Sequence, residues 1–130
     1  MECSFAELLD RAKARRLDLA TDSRKVLPGG LFFAVPGEKE DGARYVAQAE
    51  EKGAHFVVAE RDTAEQLTRD HPGLAICAVD SVRRAVWQLA QARYAPTEHP
   101  LTVLGITGTN GKTTCTYLLE ALLQKMGRSV

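Results

Sequence analysis

A glycine-bracketed loop near the end of the 130-residue chain carries residue types that bind phosphates. The segment GITGTNGKTT, residues 105–114, lies between an apolar run and an amphipathic run. Glycines let backbone N–H groups converge on phosphate oxygens, and a helix start adds unpaired N–H donors and the positive end of its dipole. Lys112 can reach β- and γ-phosphates, and the hydroxyl of Thr113 suits a bridging Mg²⁺. The loop therefore predicts a nucleotide site with Mg²⁺.

The spacing of this loop departs from the general pattern G-x-x-x-x-G-K-[ST]. Ile106 stands five positions before Gly111, whereas glycines occupy positions 105 and 108. An accidental glycine turn before a helix is the alternative interpretation. We favour a variant phosphate loop, because Gly-Lys-Thr, the preceding apolar run and the following helical pattern all coincide.

The elements that would position this loop alternate between helix and strand patterns. Apolar runs of strand length are typical of a parallel sheet covered on both faces, and helical patterns separate them. The predicted fold class is α/β, and Trp87 is assigned to its core. Strands are predicted near 17–20, 31–35, 55–60, 74–79 and 101–107, and helices from Phe5, over 44–52, over 62–70, over 81–94 and from about 112.

A proline-containing segment, YAPTEHP at residues 94–100, divides the chain. Two prolines within five positions cannot continue the preceding helix, and the segment lacks an apolar face. We therefore predict one domain over residues 1–96 and the start of a second, truncated domain over residues 97–130.

Composition excludes several classes of function. Lysine plus arginine equals aspartate plus glutamate at 17 each, so no net field favours nucleic acid. No apolar run reaches the roughly 18 residues of a membrane span, and the acidic N-terminus is unlike a signal peptide. The three cysteines form no metal or disulfide pattern, which fits a cytoplasmic protein.

The loop GITGTNGKTT resembles the ATP loop of the Mur ligase family. The resemblance implies ATP and Mg²⁺ as cofactors, and formation of an amide through an acyl phosphate of the substrate. By position in the loop, Thr113 would ligate the metal and Lys112 would hold the β- and γ-phosphates. The residues that would line the ATP phosphates are Gly108, Thr109, Asn110, Gly111, Lys112, Thr113 and Thr114.

An upstream segment, TDSRKVLPGGLFFAVPGEKEDGARYVAQAEEKGAHFVVAE, resembles the UDP-binding domain of the same family. Without the resemblance, Asp22-Ser23-Arg24 is more readily interpreted as a turn that ends a strand. The helix beginning near Asp41-Gly42 is interpreted as an ordinary capped start. By position in the family pattern, the residues that would meet the uridine end of the substrate are Thr21, Ser23, Glu38, Lys39 and Glu40.

Both motif sets together resemble the family members that add the third residue of the cell-wall stem peptide. The implied partners are UDP-N-acetylmuramoyl-L-Ala-D-Glu and a diamino acid, either meso-diaminopimelate or L-lysine. The alternatives are a ligase that adds D-Ala-D-Ala and a non-catalytic UDP-sugar-binding module; a small P-loop kinase or GTPase is disfavoured by the preceding domain. We expect the catalytic residues to lie beyond Val130 and these 130 residues alone to be inactive. The apolar residues of 101–130 would then favour self-association.

Overall fold

The computed structural model describes residues 3–37, 41–95 and 102–130. The chain forms two compact units, Met1–Ala95 and Pro96–Val130. Glu38, Lys39 and Glu40, which were predicted to contact the substrate, lie outside the described residues. The same is true of most of the predicted proline linker.

The first unit is a parallel four-stranded sheet with helices on both faces, which confirms the predicted α/β class. All neighbouring strands are parallel, in the order β1-β2-β3-β4. The strands are β1 (Leu19–Ala20), β2 (Leu31–Phe33), β3 (Phe56–Glu60) and β4 (Ala75–Val79). The helices are α1 (Phe5–Lys13), α2 (Val46–Glu51), α3 (Arg61–Asp70) and α4 (Val82–Tyr94), with short 3₁₀ turns at Ser23–Lys25 and Gly42–Tyr45.

Each face of the sheet has its own apolar core, because successive strand side chains point to opposite faces. Phe33 and Val58 lie with α1 and α4, whereas Phe32 and Val57 lie with α2 and α3. Strands buried on both faces explain the continuous apolar runs in the sequence. Apart from the partly buried ends of β3 and β4 and the exposed Ala78, the residues of β2, β3 and β4 are buried.

The helix ends follow local capping chemistry. The Ser4 hydroxyl accepts a hydrogen bond from the Glu7 N–H at 3.2 Å, and Ser81 caps α4 in the same way through the Arg84 N–H. Gly53 follows α2 with a φ of +93°, a conformation that side chains other than glycine rarely adopt. Local capping therefore fixes where these helices begin and end.

Trp87 corrects one prediction. It is 63% exposed and lies outside the core. The buried stripe of α4 consists of Val82, Ala85 and Leu89. At about 100° per residue, Trp87 points roughly 140–160° away from each of these three residues.

In the second unit, helix α5 (Lys112–Lys125) follows the glycine loop. The predicted strand is absent over residues 102–107, and of these only Ile106 is partly buried. A strand needs a hydrogen-bonded neighbour, and no described segment pairs with this one. Leu118 and Leu122 on α5, and Met126 directly after it, are each more than half exposed. None of the helices in the described ranges is long and apolar enough to cross a membrane.

Candidate functional site

A depression lies where β1 and β2 end. In open parallel sheets, ligands bind outside the carboxyl ends of the strands. The chain leaves β1 through Thr21 and leaves β2 through Val35, so both segments meet at this edge. The depression, with a volume of about 520 Å³, is lined by Thr21, Asp22, Ser23, Arg24, Phe32, Phe33, Val35, Gly42, Tyr45 and Gln48.

Ser23 contributes a buried hydroxyl to this depression. Ser23 is 6% exposed, and its Oγ donates a hydrogen bond to Oε1 of Gln48 at 2.5 Å. Because the O–H is used as a donor, the lone pairs of Oγ remain for a ligand N–H. The Gln48 amide N–H₂ has no partner among the described residues and can donate. The pair therefore presents a hydrogen-bond acceptor beside a donor.

Beside the Ser23–Gln48 pair, the side chains of Asp22 and Arg24 form an ion pair with each other. The Arg24 guanidinium donates to both carboxylate oxygens of Asp22, at 3.0 and 2.9 Å, and the Arg24 backbone N–H donates to Oδ1 at 3.0 Å. These hydrogen bonds lower the pKa of Asp22 from 3.8 to about 2. The turn thus holds Ser23 at the depression, while the charges of Asp22 and Arg24 neutralise each other.

The Asp22–Arg24 pair predicts a small acid dependence of stability. The pKa of Asp22 is lower in the folded state, so its stabilising effect is complete above pH 4 and is lost as the pH falls through about 2. In Asp22→Asn, the backbone cap is retained and this dependence is removed. Urea unfolding of both proteins at several pH values should give a difference in free energy of unfolding that shrinks between pH 4 and pH 2. A constant difference would contradict the assignment. The effect should be small, because Arg24 is 77% exposed.

Gly42 closes the depression by direct backbone contact. Its N–H donates to the Val35 carbonyl at 3.0 Å. A Cβ added to Gly42 would lie 2.5 Å from the Val35 nitrogen and 2.7 Å from its carbonyl oxygen. The Asp41 carboxylate caps the following turn by accepting from Ala43 N–H at 3.0 Å. The capped start expected from the sequence is present, and the glycine also allows the two segments to touch.

The glycine loop before α5 has a different geometry. Gly108 has a φ of +151° and Gly111 a φ of +77°, which are conformations that favour glycine. The Lys112 ammonium donates to the Gly108 carbonyl at 2.6 Å and lies 3.5 Å from the Thr109 carbonyl oxygen. The lysine is therefore held over its own loop.

The start of α5 offers free donors. Within the described residues, the backbone N–H groups of Lys112, Thr113 and Thr114 have no acceptor, and the first bond of this helix start runs from Cys115 N–H to the Gly111 carbonyl. Such a start binds anions. The exposed Thr113 hydroxyl fits one position on a Mg²⁺ that takes its other ligands from phosphates and water. No cluster of three metal-binding side chains occurs in the described ranges.

Comparison with known proteins identifies the family. The model of the Mur ligase family, catalytic domain, matches residues 18–94. The chain belongs to the Mur ligase family. The matched residues run from just before β1 to the end of α4, and so include the depression at the carboxyl ends of β1 and β2.

Curated Mur ligases resemble nearly the whole chain. A UDP-N-acetylmuramoyl-L-alanyl-D-glutamate–2,6-diaminopimelate ligase of Caldanaerobacter subterraneus subsp. tengcongensis is 42% identical over 84% of this chain. Ligases of the same name from Janthinobacterium sp. and Aquifex aeolicus are 37% and 36% identical over 96% and 98% of the chain. The chain spans 22%, 25% and 24% of the lengths of these relatives.

A solved Mur ligase structure supports the fold. The MurF ligase of Thermotoga maritima in complex with ADP superposes with a TM-score of 0.60 at 30% identity. That comparison covers 92% of this chain and 24% of the MurF chain.

The predicted Mur ligase residues fall into two groups in the structure. Thr21 and Ser23 lie together at the depression, and residues 108–114 form the end of the glycine loop and the first residues of α5. Sequence reasoning missed Gln48, which hydrogen-bonds Ser23 across 25 positions. Its only signal was its place on a predicted helix, which does not show which face meets the Ser23 turn.

Proposed function

We propose that this chain is part of a MurE-type ligase, supplying its UDP-precursor-binding domain and its ATP loop. The reaction is ATP-dependent addition of a diamino acid to UDP-N-acetylmuramoyl-L-Ala-D-Glu. The names of the relatives favour 2,6-diaminopimelate as the amine, with L-lysine as the alternative. A cytoplasmic location accords with the use of ATP.

The hydrogen-bonded Ser23–Gln48 pair carries the substrate part of the proposal. A uracil ring has an N–H donor next to carbonyl acceptors, and the pair presents the complementary acceptor and donor. Cytosine presents the opposite pattern at the same ring edge and would leave both groups unpaired. Thr21 is the third proposed contact, and Glu38, Lys39 and Glu40 remain proposed contacts of the uridine end.

The loop residues would bind the phosphates of ATP through their backbone N–H groups and the charge of Lys112. ATP would transfer its γ-phosphoryl group to the substrate carboxylate, which would release ADP and give an acyl phosphate. The amine would then attack the acyl carbon and displace inorganic phosphate. The free amides of Lys112, Thr113 and Thr114 and the Lys112 ammonium would bind the phosphates, and Thr113 would hold Mg²⁺. We further propose that the substrate domain extends over 1–96, that the ATP-binding domain starts at 97, and that isolated residues 101–130 self-associate.

The test of the function uses the full-length protein. ADP release is measured with UDP-N-acetylmuramoyl-L-Ala-D-Glu, Mg-ATP and one amine at a time. Release with a diamino acid is expected. Release only with D-Ala-D-Ala and a tripeptide precursor would instead favour a MurF-type ligase, the sibling that the Thermotoga maritima structure represents. UDP binding without ADP release under any condition would favour a non-catalytic module.

Ser23→Ala is expected to weaken UDP binding by about ten-fold, because one ligand hydrogen bond is lost and Gln48 loses the group that orients it. Isothermal titration of UDP into the native chain and the variant measures the change. Ser4→Ala is the matched control, because its hydroxyl bonds only its own helix start. Equal affinities for the native chain and Ser23→Ala would remove Ser23 from the site.

A further inference from the structure

A second depression continues the first across the sheet edge. Its volume is about 380 Å³, and its lining residues are Thr21, Val35, Arg83 and Val86. Thr21 and Val35 also line the first depression. Together they form one groove, which runs from Gln48 on α2, past the ends of β1 and β2, to Arg83 on α4.

The two ends of this groove differ in charge. At the α2 end, the Ser23–Gln48 pair is uncharged, and the nearby Asp22 carboxylate is paired with Arg24. At the α4 end lies the exposed guanidinium of Arg83. Its Nη2 donates to the Pro36 carbonyl at 3.1 Å, and no carboxylate of the described residues lies within ion-pair distance.

Arg83 is oriented by its bond to Pro36 and retains other N–H donors. A guanidinium carries five N–H groups in a planar fork that matches phosphate oxygens. Its sequence neighbour Arg84 lines another depression together with Asp80 and Phe5. The pKa of Asp80 is lowered chiefly by Arg61, and Arg84 adds to this effect. Adjacent arginines on α4 therefore serve different surfaces.

We propose that Arg83 binds the diphosphate of the UDP group, with the uracil ring at the Ser23–Gln48 end. This inference rests on the proposed function. Along the groove lie first the uncharged Ser23–Gln48 pair, then the Thr21 hydroxyl and then the Arg83 guanidinium. This order matches that of the base, the ribose and the diphosphate in UDP. Arg83 is thus a further substrate-binding residue, and it fixes the direction in which the nucleotide lies.

The test compares UDP with uridine by isothermal titration of the native chain, Arg83→Gln and Arg84→Gln. Arg83→Gln should bind UDP about ten-fold more weakly and uridine with unchanged affinity, because only UDP carries the diphosphate. The salt dependence of UDP binding should also decrease. Arg84→Gln removes the same charge one residue away and should leave both affinities unchanged.

Three results would overturn the inference. Unchanged UDP affinity in Arg83→Gln would exclude a phosphate contact. An equal loss for UDP and uridine would show that Arg83 acts only by positioning the Pro36 segment. A native chain that binds neither ligand would refute the proposed substrate site itself. If Arg83→Gln fails to fold, Arg83→Lys takes its place, because lysine keeps the charge without the planar fork. Arg83→Lys should weaken UDP binding by less than about ten-fold and leave uridine binding unchanged.

Discussion

Replacing Lys112 by methionine is expected to lower the rate of ligation by about 100- to 1,000-fold in the full-length ligase. Methionine keeps the length and the helical preference of lysine but removes the ammonium that would stabilise charge on the transferring phosphoryl group. In the structure, this ammonium already lies over the loop, 2.6 Å from the Gly108 carbonyl oxygen. ADP release under saturating UDP-precursor and amine measures the loss.

Lys125→Met is the matched control, because Lys125 lies at the last residue of the same exposed helix. Its ligation rate should equal that of the native protein. UDP affinity should be unchanged in both variants, since the UDP site lies in the first unit. A Lys112→Met enzyme with at least a third of the native rate would show that the loop does not act on the nucleotide as proposed.

The second large effect is expected from Gly42→Ala. The new methyl group would lie 2.5 Å from the Val35 nitrogen and 2.8 Å from the Ala34 carbonyl carbon, both backbone atoms that cannot move aside alone. Separating these segments costs about 1–3 kcal/mol or more, and it displaces two walls of the groove. We expect a lower urea midpoint and at least a ten-fold loss of UDP affinity.

Gly73→Ala provides the comparison for Gly42. A methyl group there would meet only the end of the flexible Glu50 side chain at 3.3 Å. Both stability and UDP affinity should therefore stay near native values. Gly42→Ala with a native urea midpoint and native affinity would mean that the contact between Gly42 and Val35 does not shape the groove.

Local patterns predicted much of the first unit. The predicted strands and helices depend on neighbours within a few residues. The observed caps at Ser4, Ser81 and Gly53 are equally local. The α3 helix was predicted over 62–70 and is Arg61–Asp70. Ser23 was found through family resemblance, since an Asp-Ser turn by itself is common.

The missed features depend on contacts between distant segments. Gln48 meets Ser23 across 25 positions, and Arg83 meets Pro36 across 47. A sequence pattern cannot show which side chains two separate helices bring to one sheet edge. The strand predicted at 101–107 is absent over the described residues 102–107 for a related reason, because an apolar run predicts the capacity to pair but does not supply the partner strand.

The Lys112 contact with its own loop has a consequence for nucleotide binding. Because the ammonium already bonds the Gly108 carbonyl, its nitrogen is held over the loop before any nucleotide arrives. An ammonium has three N–H donors, and the contacts with the Gly108 and Thr109 carbonyls use at most two of them, so a donor remains for a phosphate oxygen. The loop itself therefore orders this long side chain, and a phosphate would gain the charge of Lys112 with little further loss of side-chain entropy.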